Sequence, residues 1–427
     1  MTDANRRSVL KLLSSAAFVG GVGTAGAQPP DERGKPKKGR IRKMGHSLLS
    51  DPVGEYAEED IRDDGQYGVV GSFFGKGGSF LVDLRDPTDP EEAHRVPSSA
   101  DTRNADVAFD PRDGLYYRSQ EPNNDDGEGG VEVIDYGYEE GSVSDPEIIA
   151  GIDVGPTHNI FPHPEEPILY ATNETTGDPG LDIVDVSEPS GPAVLGEGGP
   201  DGALHDMVVD PETDRMHCAY IFAGEDGFEG YAILDVSDPA NPETVGSFNY
   251  AQKSDYTEVG EEGFELCHYA DYDPERELAY VGDEKAEDVP GGKHVFDIGY
   301  DEGSPENPVP IGFTVSPNAE VMEEENEAFD WTTHNHDVIS KGSNTLLVSG
   351  DYHEGTVVYD VSDPTDPTPT DRYRTDDAEV VSDLIFSLGE PPMAWGANYS
   401  EARDLVFTSD MITGVYTFKV TPARAKD

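Results

Sequence analysis

An all-β fold built from one repeated four-stranded unit is predicted by three observations. The segments "SFLVDLRDPTDP", "VEVIDYGYEEGSVSDP", "LDIVDVSEPSGP", "YAILDVSDPANP", "HVFDIGYDEGSPENP" and "TVVYDVSDPTDP" share an aspartate at Asp83, Asp135, Asp185, Asp235, Asp297 and Asp360, spaced 50 to 63 residues apart. Each is a short β-branched run that ends in Asp ahead of a Pro-punctuated turn, the composition of a strand and its exit. Each has another strand after it, such as "ETVGSF", and two before it, the second reading "GLYYRSQ", "PILYATN", "MHCAYIF", "ELAYVGD", "TLLVSGD" or "DLVFTSD". Four strands in a unit of about 50 residues is the blade of a β-propeller.

Taken in order, the chain opens with a segment of another kind. "NRRSVLKLLSSAAFVGGVGTAGAQPP" has paired Arg6-Arg7, a small-residue apolar run and the cleavage pattern Ala25-Gly26-Ala27. Residues 1–27 resemble a twin-arginine export signal, which places the mature protein outside the cell or at its surface. Residues 28–37 form a Pro-rich leader, 38–422 a single propeller, and 423–427 a tail. The last unit, from Trp395 through "TGVYTFKV", has only three strands. The N-terminal "GRIRKMG" is predicted to be its outermost fourth, closing a ring of seven blades and leaving no sheet edge open.

The segments "LDIVDVSEP" and "ILDVSDPANP" resemble the LVIVD-repeat family of exported archaeal and bacterial propellers, and the resemblance covers six of the seven blades. It implies the architecture and leaves the activity open. The turns at Tyr136-Gly137 and Gly299-Tyr300, and all of the seventh blade, depart from the repeat.

Charge narrows the partners. The 427 residues carry 88 acidic against 29 basic side chains, a formal net charge of -59, with acids in nearly every predicted loop. Such a surface repels nucleic acid and anionic membranes and fits a protein from a salt-saturated environment. No stretch outside the signal is apolar enough for membrane insertion. A monomer is expected, with a small molecule or a surface protein as its partner. Cys218 and Cys267 cannot form a disulfide framework, and the pattern leaves open whether they are bonded to each other.

The most informative residue type is histidine. "GHSLLSDP", "THNIFPHP", "ALHDMVVDP" and "CHYADYDP" each place a histidine five residues before an Asp-Pro or His-Pro step. Aligned on that step, the seven blades read His46, Ala105, His158, His205, His268, His336 and Trp395, so five of the chain's 11 histidines occupy one repeat position. First strands of a propeller begin on one face, so this position is expected to ring one mouth of the channel. At the end of the second strand an equivalent position reads Gln120, Asn173, Ile221, Asp283, Asp351 and Asp410. "THNHDV" adds His334 and "GDYHEG" adds His353 on the same rim.

Imidazoles backed by carboxylates suit a transition metal (Cu, Fe, Zn or Ni), with the carboxylate fixing the ring tautomer. His46, His158, His205, His268 and His336 are the candidate ligands; His334, Asp283, Asp351, His353, Asp410 and Trp395 are the candidate supports. Two other readings stand beside this one. A repeat-encoded histidine also serves as a structural hydrogen-bond partner, and the mouth could hold a polar ligand without metal. His94, His163, His217 and His294 fall outside the ring and are read as structural. "NNDDGEGG" lacks the spacing of a calcium loop, and no nucleophile-elbow, P-loop or dinucleotide motif occurs. The function expected is therefore a metal-dependent enzyme, an oxidoreductase acting on a small molecule, or a non-catalytic cell-surface scaffold.

Overall fold

The computed structural model describes residues 40–49, 55–72, 77–99, 101–172, 179–223, 227–252, 264–284, 291–317, 333–341, 344–378 and 392–421. The export signal, the leader and the tail lie outside them. Among the described residues strands dominate, and a single 3-10 turn, Tyr250–Gln252, interrupts them.

The strands form six antiparallel sheets, one of which has seven strands. In that sheet the long strand Ala193–Asp210 is the outer strand of one unit and then the inner strand of the next. Divided there, the strands fall into seven groups of four, with one inner strand, in blade 2, split in two. The inner strands, blades 1 to 7, are Tyr56–Ile61, Val107–Phe109, Ile160–Pro162, the second half of Ala193–Asp210, Cys267–Asp273, Thr333–Lys341 and Ala394–Ser400. Each lies against the inner strand of the next, and Ala394–Ser400 lies against Tyr56–Ile61, so the ring closes.

Closure is made by the N-terminal strand. Ile41–Ser47 pairs antiparallel with Gly414–Val420, from Ile41 opposite Val420 to Ser47 opposite Val415. Alternation along this strand puts Ile41 into a core with Ile339, Val406 and Phe418. Apolar clusters of the same kind fill every junction: Tyr56 and Phe80 of blade 1 pack with Phe407 and Val415 of blade 7. Cys218 and Cys267 are free, buried thiols that sit in two different junctions.

Polar ties reinforce the junctions next to the axis. Asp60, Asp106, Asp271 and Asp337 each accept the backbone N–H of the following blade's inner strand, from Phe109 (2.7 Å), Ile160 (2.7 Å), Val338 (3.1 Å) and Tyr399 (2.7 Å). Asn159 and Asn398 reach forward in the same way, donating to the carbonyls of His205 and Glu59. These carboxyls satisfy backbone donors, yet burial pushes Asp60 up to about 6 and Asp106 and Asp337 up to about 7.

The repeat-defining aspartates have a local role. Asp185, Asp235 and Asp360 accept the N–H two residues on, from Ser187, Ser237 and Ser362, the Asx-type turn such residues favour. In blades 2 and 5 the longer turns wrap the carboxylate instead. Asp135 accepts from Gly137, Tyr138, Glu139 and Gly141, and Asp297 from Gly299, Tyr300, Asp301, Glu302 and Gly303. The departures at Tyr136-Gly137 and Gly299-Tyr300 are thus one alternative turn, used twice.

Candidate metal centre

Four histidines form a continuous arc at the start of the inner strands of blades 3 to 6. Ring centroids are 4.9 Å apart for His158 and His205, 3.7 Å for His205 and His268, and 4.4 Å for His268 and His334. Trp395 continues the arc, 4.7 Å from His334 and edge-on to it. In blades 1 and 2 the same position is Ala57 and Ala105, which pack with Trp395 and Tyr352.

Blade 6 therefore contributes His334, where the sequence alignment expects His336. The reason is register. Thr333 pairs with Asp351 and His336 with Ser349, just as Cys267 pairs with Asp283 and Ala270 with Val281. His334 is thus the counterpart of His268. Two residues deeper, His336 turns to the junction with blade 5, where its Nδ1 lies 3.0 Å from Lys293 Nζ and its ring meets Tyr269 edge-on.

His46 also lies outside the arc. It belongs to the closing outer strand opposite Tyr416, with Nε2 2.7 Å from the Thr413 carbonyl. Its five-residue spacing to Asp51-Pro52 comes from the connection into blade 1, whose inner strand begins only at Tyr56.

The arc is held by contacts between blades. His205 Nδ1 is 2.9 Å from the carbonyl of His268, and His334 Nδ1 is 2.6 Å from the carbonyl of Trp395. Donation from Nδ1 to these carbonyls leaves Nε2 of each ring as the acceptor. His158 Nδ1 pairs with Glu121 Oε2 at 2.9 Å, and Glu121 is gripped by Arg103 as well. Burial acts to raise the Glu121 carboxyl, but Arg103 and His158 hold it well below the usual range. Burial drives His205 and His268 well below the ordinary imidazole value and His334 down to about 3. These rings are neutral near pH 7, the state that ligates a metal.

The donors converge at His268, His334 and Glu284, whose ligand atoms all lie within 4.8 Å of one another. Nε2 of His268 is 3.5 Å from Glu284 Oε2, and Nε2 of His334 is 4.0 Å from Glu284 Oε1. Ligands about 2.1 Å from a shared tetrahedral ion stand roughly 3.4 Å apart, so small shifts would bring this trio to that spacing. His268 Nδ1 is buried without a hydrogen-bond partner, and Tyr352 donates to Glu284 Oε1 at 3.3 Å. Ahead of His268, Phe264 and Leu266 hold φ of +69° and +53°, left-handed values that cost energy in residues with a Cβ.

The candidate supports separate. Asp351 accepts the backbone N–H of His334 at 3.3 Å and the hydroxyls of Ser349 and Tyr359, so it anchors one arc residue through the main chain. Asp283 faces away from the arc, taking His294 Nε2 at 2.6 Å, Tyr250 Oη at 2.7 Å and the Phe264 N–H. Asp410 caps its own blade, accepting from Met393, Ile412 and Thr413 N–H. His353 sits at φ +57° on the loop after the second strand, its N–H bonded to the Pro392 carbonyl. Asn173 lies outside the described residues. The carboxylates that do meet the arc, Glu121 and Glu284, each come one residue after the aligned position, Gln120 and Asp283. Alternation along a strand carries that signal, because consecutive side chains point to opposite faces.

Comparison with known proteins bears on the architecture. Residues 176–197, 219–250 and 344–375 match the LVIVD repeat. The β-propeller domain of Cps50 (Swd1) from Myceliophteria thermophila superposes with a TM-score of 0.54 at 11% identity, covering 86% of this chain and 97% of that one. The C-terminal WD40 domain of Sif2 superposes with a TM-score of 0.52 at 8% identity, covering 90% of this chain and 99% of that one. At such identities the likeness speaks for the fold alone. No curated protein matches the sequence.

Proposed function

We propose that this LVIVD-repeat β-propeller is an exported metalloprotein that binds one first-row transition-metal ion at the mouth of its channel, through His268, His334 and Glu284. The observation that carries the reading is the convergence of two neutral imidazoles and a carboxylate from adjacent blades. Two histidines and one carboxylate suit non-haem iron(II), and zinc is the next best fit. Such an ion, when bound with a position open, supplies Lewis-acid or redox chemistry toward a small molecule in the channel. His334 is pre-oriented by its bond to the Trp395 carbonyl, which is how ligating imidazoles are generally held. His205 and His158 extend the polar lining beside the ion, with His158 steadied by Glu121. The chemistry would be that of an oxidoreductase on a small substrate.

A second reading rests on the same bonds. His205 and His334 each tie their blade to the next through a carbonyl, which is what a purely structural histidine would do in a cell-surface scaffold. Elemental analysis separates the two. Protein from its native host should hold close to one equivalent of a single transition metal, and Glu284→Gln or His334→Ala should lose it while remaining folded. A folded parent protein holding less than a tenth of an equivalent would leave the scaffold reading in place.

A further inference from the structure

Deeper than the histidine arc, the channel wall changes chemistry. In blade 1 the residues after Ala57 on the inner strand are Glu58 and Glu59, both buried, and Asp60, partly buried. Burial raises the Glu58 carboxyl well above its usual range, and three more carboxyls, Glu59, Asp106 and Asp206, push it further. They line a cavity of about 420 Å³ that also reaches Asp63, Asp64, Asp110 and Asp113 at the inner-strand ends.

A cluster of acids alone is no site, but at its Glu58 edge two buried oxygens lack partners. Asn335 of blade 6 is 3% exposed and reaches past blade 7 to donate its amide to Glu58 Oε2 at 2.5 Å. Its carbonyl oxygen, Oδ1, is buried with no hydrogen-bond partner, and so is Glu59 Oε1. Facing Glu58 and Glu59 from blade 7 is Gly396. A Cβ there would fall 2.6 Å from Glu58 Oε1 and 3.0 Å from Glu59 Oε1, so glycine leaves room for two carboxylates to approach one point. The other oxygen of Glu59 is engaged by Ser409 at 2.5 Å.

We infer that the edge of this chamber, where Asn335 and Gly396 meet Glu58 and Glu59, is a second site, for a hard divalent cation of the calcium class, held by the carboxylates of Glu58 and Glu59 and the side-chain carbonyl of Asn335. All three donors are oxygen, which selects against the soft and borderline metals suited to the histidine arc. Calcium accepts irregular geometry and a varied number of ligands, so water in the cavity completes its shell. The cation offsets the mutual repulsion of Glu58 and Glu59, and it joins blade 1 to blade 6 across blade 7. The site shares no residue with the His268, His334 and Glu284 centre and does not depend on it.

The test is calorimetric titration of calcium chloride into the chelator-treated full-length chain, in concentrated sodium chloride that screens exposed acids. One saturable equivalent and a calcium-dependent rise in Tm are expected. Glu59→Gln and Glu58→Gln should each weaken binding at least tenfold, whereas the exposed control Glu188→Gln should not. The double variant Glu58→Gln/Glu59→Gln should melt in chelator at or above the parent's temperature, yet gain nothing from calcium, which separates lost binding from lost folding. Absence of saturable binding to the parent, or parent-like binding by the double variant, overturns the proposal.

Discussion

Two stretches of one channel wall, built from the same inner strand, carry opposite chemistry. Through blades 3 to 6 the strand begins with His158, His205, His268 and His334, rings that stand side by side in sequence and tie blade to blade. Through blades 7, 1 and 2 the same position is Trp395, Ala57 and Ala105, packed as an apolar plug with Tyr352 and Met393. Carboxylates instead gather below it at Glu58, Glu59 and Asp106. The repeat reproduces a backbone, and small residues such as Gly396 and Ala57 decide where space remains for charge. A duplicated fold can in this way present a nitrogen-rich arc and an oxygen-rich chamber a few residues apart along the same strands.

The comparison can be broken altogether by removing what joins its two sides. Deleting residues 38–44 strips half of the strand pairing with Gly414–Val420 and uncovers the Ile41 core, so blade 7 keeps only the Gly45–Ser47 end of its outer strand. Loss of several hydrogen bonds and a buried side chain should cost roughly 5 kcal/mol or more, read as a lowered or broadened melting transition.

Acid and base should then pull the two halves in opposite directions. On the acidic side Asp106, raised by burial to about 7, binds a proton more tightly folded than unfolded, so its contribution to stability falls as pH rises from about 4 to 7. Asp60 adds to that rise and His158 opposes it. Asp106→Asn keeps the acceptor for Ile160 and should recover up to about 4 kcal/mol at pH 8, with little change near pH 4, by denaturant titration. On the histidine side His217, stacked between Tyr231 and Tyr272, is lowered by burial to about 4. Its contribution is complete above pH 6.5 and is lost as pH falls toward 4. His217→Gln should flatten that acid limb by up to about 3 kcal/mol.

Metal retention sharpens the contrast further. Glu284→Gln should weaken transition-metal binding by more than about 100-fold, beyond the roughly 10–100-fold typical when an outer partner of a ligand is removed, whereas Glu59→Gln should leave it unchanged. Competition with a chelator of known affinity reads both. The smallest effect belongs to Asp283→Asn. Because that carboxylate serves His294, Tyr250 and Phe264, the change should lower stability by about 1–2 kcal/mol while metal retention stays at the parent level.

Much of the architecture is legible in the residues themselves. The spacing of Asp83, Asp135, Asp185, Asp235, Asp297 and Asp360 marks the blades because each copy must end its third strand in a turn that an Asp can cap. The three-stranded last unit calls for Ile41–Ser47 as its partner because an open sheet edge is unfavourable. Equally legible is the recurrence of histidine at the start of the inner strand in blades 3, 4 and 5.

Other features were decided only by the folded chain. Whether blade 6 offers His334 or His336 depends on its first hairpin, which pairs two residues beyond Ile339 to reach Lys341 opposite Asn344, so the count back to the arc starts from Ile339 and not from Lys341. His46 shares the spacing of the arc histidines, yet strand pairing carries it to the far edge of blade 7. Glu121 and Glu284 meet the arc, while Gln120 and Asp283 beside them do not, because neighbours on a strand face opposite ways. Asn335 meets Glu58 across 277 positions of sequence. Repetition dictates the local backbone, blade after blade. Contacts at the axis join residues from different repeats, and ring closure alone sets which of them stand side by side.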